Sequence, residues 1–352
     1  MRKLAPITGF AIVGALLLSG CGSSANEADA AADDTLIVYT NSNSDGRGEW
    51  LIAEAEKAGF DIEIVGAGGG DATNKIIAEK GNSVADVVFG LNNMYFEQLK
   101  AADTIAPYTP AWSGEVDAAL ADPAAEKSYW PLVQQGIVLA YNADALSAEE
   151  APQEWRDLWT QDEFKKRYES VTGLGGATTQ LVFAGILNDY KDPNGDLGIS
   201  DEGWAQVEAY FDNGSPSVAD KDLYARMADG EVDMGQMWSS GLTAREAEYG
   251  VDTEIMTPEA GVPFAVEQIG IIKGTENKDQ AAEFIDWFGS AEVQGSWAKE
   301  FNAMPVNTAA IEQANPEVVK FHEELKRQDI DWTFAQENMG AWVEKIELEY
   351  MN

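Results

Sequence analysis

Cysteine and histidine occur once each in this chain, as Cys21 and His322. A lone cysteine closes no intrachain disulfide and builds no thiolate cluster, and a lone histidine excludes a multi-histidine zinc site. Any serine nucleophile would have to use His322 as its base, and His322 lies in a charged helical stretch remote in sequence from any strand end. Basic residues are also scarce, 23 against 61 acidic ones, for a formal net charge of −38. Nucleic acid and anionic lipid headgroups repel such a surface, so neither is expected as a partner. No Gly-Lys-Ser/Thr phosphate loop, Gly-x-Ser-x-Gly or His-Glu-x-x-His occurs. Nucleotide hydrolysis, an α/β-hydrolase and a zinc peptidase are therefore left without their motifs.

What is present is ordinary for a folded protein: 45% apolar and 10% aromatic residues. A chain of 352 residues exceeds what one core usually serves, so two lobes are expected. At the start, Arg2 and Lys3 precede a mostly apolar stretch from Ile7 to Leu18. That stretch is too short to cross a ~30 Å hydrocarbon core, and suits a signal peptide. It ends in Leu18-Ser19-Gly20-Cys21, which resembles a bacterial lipobox. The resemblance implies cleavage after residue 20, lipid on Cys21 and attachment to the outer face of the cell membrane. Residues 21–33 then read as a flexible tether, small and polar with nothing to bury.

From Thr35 the pattern changes. Leu36-Ile37-Val38-Tyr39 reads as a short buried strand, and Asp61 to Val65 and Ala85 to Phe89 read as further strands, with helical stretches between them. That alternation predicts an α/β lobe with a parallel sheet. The polar and glycine-rich turns all fall at the carboxyl ends of these strands, the edge at which open α/β sheets take ligands. Asn41, Ser42 and Ser44 follow the first strand and Asn92 follows the third. A second α/β pattern carries Gly173 to Thr179 ahead of an apolar helix, and a strand candidate from Val232 to Trp238 that runs into Ser239. Glycine turns before helices offer backbone N–H groups and a favourable dipole to an anion, so Gly175, Gly176, Thr178 and Thr179 are candidates. Trp238, Ser239 and Glu267 sit at strand ends or crossings that would face a cleft. Asp192 to Gly198 begins like a calcium loop but places its glycine and its twelfth residue wrongly, and reads as a surface turn. No metal and no cofactor is expected.

The order of segments is similar to that of the family 1 bacterial extracellular solute-binding proteins. It runs from the lipobox through Val-Tyr-Thr-Asn-Ser, Ala-Asp-Val-Val-Phe-Gly and Gly-Ile-Val-Leu-Ala-Tyr-Asn to Met304-Pro305-Val306-Asn307. The resemblance implies a two-lobed, type II periplasmic-binding-protein-like fold of α/β class with two crossover strands, near Gln134–Tyr141 and Val266–Ile272. Lobe one would span residues 34–135 with a return segment at about 268–352, and lobe two residues 142–265. It also implies a non-enzymatic protein that closes on a small-molecule solute and delivers it to an ABC permease. Among the ligands of this subgroup, a phosphonate or sugar phosphate suits the glycine turns. Ferric iron is the alternative, although no Tyr-Tyr pair occurs and tyrosines 39, 95, 129, 141 and 224 show no ligand spacing. A sensor for a membrane kinase would share every feature, and a secreted hydrolase is the reading of another class.

Overall fold

The computed structural model describes residues 35–351, so the expected signal peptide, Cys21 and the tether lie outside the described residues. The first elements follow the alternation read from sequence: β1 (Leu36–Thr40), α1 (Arg47–Ala58), β2 (Ile62–Gly66), α2 (Gly69–Ala78), β3 (Val87–Phe89) and α3 (Asn93–Ala101). β1 is the middle strand and pairs in parallel with both β2 and β3. Side chains alternate across it because successive residues of a strand point to opposite faces. Leu36 and Val38 enter a core with Phe284, Phe288 and Trp297, while Tyr39 enters one with Ile76, Tyr95 and Phe96. The sheet is thus covered on both sides, as its continuous apolar strands require.

Two long antiparallel strands, Trp130–Asn142 and Phe264–Ile272, link this half to the other. The first of them is shared. Its early residues pair with Phe264–Ile272, and from Ile137 onward it pairs with the strand Met234–Trp238. Ile137, Leu139 and Tyr141 point into one core of the second half, Val138 and Ala140 into another. The register between the two crossing strands slips between Glu267 and Gln268, where Pro131 stands opposite Gln268 without an N–H to donate.

The helix Lys278–Phe288 buries Ala281, Phe284, Ile285 and Phe288, the stripe expected from their spacing. The chain's return differs from expectation. The expected return segment divides between cores: Phe284, Phe288 and Trp297 pack with Leu36 and Val38, while Ile330, Ala335, Met339, Trp342 and Ile346 pack with Leu181, Phe183 and Tyr210. The last helix, Trp332–Glu349, carries an apolar stripe that fits either core, and the indole N–H of Trp342 donates to the Leu197 carbonyl at 3.1 Å. Asp192–Gly198 forms an exposed turn within a short strand segment.

Candidate functional site

Strand ends of the first half meet a helix start and a strand end of the second around a cavity of about 300 Å³. From the first half come the loop after β1 with Arg47, Gly68 and Gly69 where α2 begins, and Gly90 and Asn92 after β3. The second half contributes Gly176, Ala177 and Thr178 at the start of the helix Ala177–Leu187, and Trp238 at its strand end. The crossing strands form the floor with Gln135, Ile137, Ala265 and Glu267.

Of the residues singled out from sequence, Asn41, Ser42, Ser44, Asn92, Gly176, Thr178, Trp238 and Glu267 line this cavity. Gly175, Thr179 and Ser239 do not. The Gly175 carbonyl accepts from Gly70 N–H at 3.1 Å and ties the two halves together. Thr179 is 3% exposed, with its hydroxyl accepting from Gln236 Nε2 at 2.6 Å. The Ser239 hydroxyl accepts from Gly136 N–H at 3.1 Å and lies 2.9 Å from His322 Nε2. His322 is therefore not remote from a strand end in space, although it is in sequence. The pair lies outside the cavity, and the other ring nitrogen faces the Val318 carbonyl at 2.9 Å, not a carboxylate. Burial lowers the His322 pKa from its ordinary value.

Two residues that sequence reasoning passed over are central. Arg47, 3% exposed, donates to Asp45 at 2.9 Å and to the Ser240 hydroxyl at 3.0 Å, and its guanidinium stands 5.1 Å from the Phe301 ring centre. Gln135 belongs, with Gln134, to a polar break inside a largely apolar strand, the signal that marked it. Its Nε2 donates to Ser240 at 2.9 Å and to Glu267 at 3.1 Å, and its Oε1 accepts from Ser239 and from Ser240 N–H. Burial pushes the Glu267 carboxyl up, opposed by Gln135, Arg47 and Ser42.

Two helices aim their starts at the cavity with no side-chain cap. α2 has Gly68 at its N-cap and Ala177–Leu187 has Gly176; the Gly70 N–H in the first turn of α2 already donates to the Gly175 carbonyl, while no side chain caps the other first-turn N–H groups. Glycine is required at the start of α2: a Cβ on Gly69 would sit 2.4 Å from the Tyr95 ring. Asn92 caps α3 through its oxygen, yet its Nδ2, buried on the cavity wall, has no partner among the described residues, and neither does Asn41 Oδ1. Buried amides are rarely left so without a ligand or water.

The tyrosines do not converge here. None of Tyr39, Tyr95, Tyr129, Tyr141 and Tyr224 lines the cavity, and their hydroxyls bond to Glu79, Gln180, Glu97, Glu254 and Thr253. Burial pushes all five phenols up, Tyr141 and Tyr224 to about 12. No group of three or more His, Cys, Asp or Glu side chains is placed to hold a metal among the described residues.

Comparison with known proteins places this geometry in context. A family profile described as bacterial extracellular solute-binding protein matches residues 51–326. A probable ABC transporter periplasmic-binding protein of Sinorhizobium fredii is 33% identical over 90% of this chain and 86% of its own length. A putative 2-aminoethylphosphonate-binding periplasmic protein of Salmonella paratyphi A is 23% identical, covering 79% of this chain and 80% of that one. The solved structure of the periplasmic binding protein P5PA superposes with a TM-score of 0.76 at 22% identity, over 90% of this chain and 100% of the other. That likeness establishes the type II periplasmic-binding-protein fold.

Proposed function

The chain belongs to the family of bacterial extracellular solute-binding proteins, and from that premise we propose that its cavity captures a small phosphonate or sugar phosphate for an ABC importer. The observation that carries this reading is the convergence of two uncapped helix starts with the unpartnered Asn92 amide. Backbone N–H groups at helix starts bind oxyanions, and an amide donor beside them adds a directed hydrogen bond. On a surface as acidic as this one, an anion gains nothing from long-range attraction, so recognition rests on such local donors. The aminoethylphosphonate named for the Salmonella relative has the matching oxyanion.

Capture proceeds by hinge motion of two lobes about the crossing strands. Residues from both sides contact the solute only when the lobes are closed, so binding shifts the balance toward closure. Protein contacts across the cleft add to it: Tyr95 to Gln180 at 2.8 Å, Gly70 to Gly175, and Arg47 to Ser240. The protein holds its solute without turning it over and hands it to a permease, tethered to the membrane by lipid on Cys21. Titration calorimetry against 2-aminoethylphosphonate, glucose 6-phosphate, ferric citrate, thiamine and putrescine tests the reading. Micromolar binding of a phosphonate or sugar phosphate supports it, and tight binding of a cation alone refutes it. Replacing Cys21 by serine releases the protein from the membrane fraction if the anchor is as proposed.

A further inference from the structure

From the charges around the cavity we infer that the solute is a zwitterion, a short aminoalkyl phosphonate or its carboxylate counterpart, whose ammonium group is held by Glu267. The inference rests on the oxyanion reading above and narrows it.

Among the residues that line the cavity, two carry charge, Arg47 and Glu267, and their surroundings differ. The Arg47 guanidinium already has Asp45 as a partner, a carboxylate it shares with Arg245, and it also donates to the Ser44 carbonyl and Ser240. Glu267 forms no salt bridge among the described residues: the Arg47 charge acts on it from a distance, and the Gln135 amide donates to it at 3.1 Å. A carboxylate has room for about four hydrogen bonds. An anion seated at the helix starts would share a low-dielectric space with this carboxylate, which disfavours binding unless the solute brings its own positive charge.

Size selects in the same direction. A cavity of about 150 Å³ holds benzene, and the 300 Å³ here is twice that. Such a space seats a solute of about a dozen non-hydrogen atoms or fewer. A two- or three-carbon aminoalkyl phosphonate falls within that size, and a hexose phosphate is above it. Trp238 on the wall supplies an aromatic surface of the kind that takes a cation, its ring already having the Arg245 guanidinium 5.8 Å from its centre. Glu267 lies on the crossing strand while the anion donors lie at the rim on both halves, so the two charged ends of the solute meet different elements.

The test is a calorimetric series on the intact protein with 2-aminoethylphosphonate, 2-hydroxyethylphosphonate, propylphosphonate and glucose 6-phosphate, repeated on Glu267→Gln. The inference expects the amine to bind at least about tenfold more tightly than the hydroxyl or methyl analogue, a gap of ~1.4 kcal/mol. In Glu267→Gln the three phosphonates should converge, with the propyl compound unchanged or tighter. Equal binding of the three by the wild-type protein, or tighter binding of the sugar phosphate, overturns the zwitterion and leaves the oxyanion reading standing. Failure of every phosphonate and of the sugar phosphate removes both. The wild-type series decides the matter even if the variant folds poorly.

Discussion

Asp45 stands between two arginines from opposite sides of the cleft: it accepts from Arg47, its neighbour in the same loop, at 2.9 Å, and it pairs with Arg245, two hundred residues further on. Arg245 is held in turn by Asp222 at 2.8 Å. The Asp45 carboxylate is 8% exposed, and its backbone sits at a φ of 58°, a conformation that side chains other than glycine seldom adopt. A strained, buried carboxylate with two guanidinium partners is arranged to latch the halves together.

Removing the latch leaves two desolvated cations short of a partner, a costly arrangement that the open form relieves. Asp45→Ala is expected to weaken solute binding by roughly ten- to a hundredfold, or ~1.4–2.8 kcal/mol. Small-angle scattering of the unliganded variant should give a larger radius of gyration than the wild type. An unchanged radius with unchanged affinity would show that the pair is surface decoration.

Thr178 offers a test in which binding and stability move in opposite directions. It lies in the first turn of Ala177–Leu187 and on the cavity wall. A carboxylate there suits the helix dipole and should stabilise the fold by about 0.3–1 kcal/mol. The same charge occupies the place meant for the solute's oxyanion. Thr178→Asp should therefore hold or raise the melting temperature while phosphonate binding falls by about a hundredfold or more. Retained binding would remove the anion from this helix start.

The pH dependence has a definite sign. Burial holds the pKa of His322 below its ordinary 6.5, so the unfolded chain takes up a proton that the folded chain resists. Stability from this residue is present above pH 6.5 and is lost as the pH falls through that value toward the lower folded pKa. Glu267 acts in the opposite sense: its raised pKa adds stability at pH below the ordinary carboxyl range, and that stability is lost as the pH rises through the folded value. Urea unfolding of wild type against His322→Gln should show a difference that shrinks as the pH falls below 6.5. A difference independent of pH would mean that the ring titrates normally.

Trp342 tests the ownership of the last helix. It is 1% exposed within the second half's core. Trp342→Ala should cost ~3–5 kcal/mol of stability, as buried tryptophan truncations do. A loss under ~1 kcal/mol would show that the helix is an appendage.

Much of the first half was legible because its information is local. Short apolar strands of three to five residues, each followed by a polar or glycine turn, state their own type and mark the sheet edge at which the cavity lies. What stayed hidden depends on distant partners. Arg47 opens α1 and reads as a surface residue of that helix; only Ser240 and Phe301, far along the chain, reveal that its face is inward. The apolar spacing of Met339, Trp342 and Ile346 announces a buried stripe but not which core receives it. His322 reaches Ser239 only because its helix, Pro316–Glu324, packs beside the strand end.

The slip in register between Glu267 and Gln268 puts the pocket's acidic group at the most pliable point of the paired strands that join the halves. If the cleft closes on its solute as proposed, a substitution at Glu267 alters both the lining of the pocket and the local pairing of the strands that join the halves. A lineage shifting to a new food source at position 267 would have to re-tension the opposing segment around Pro131 as well.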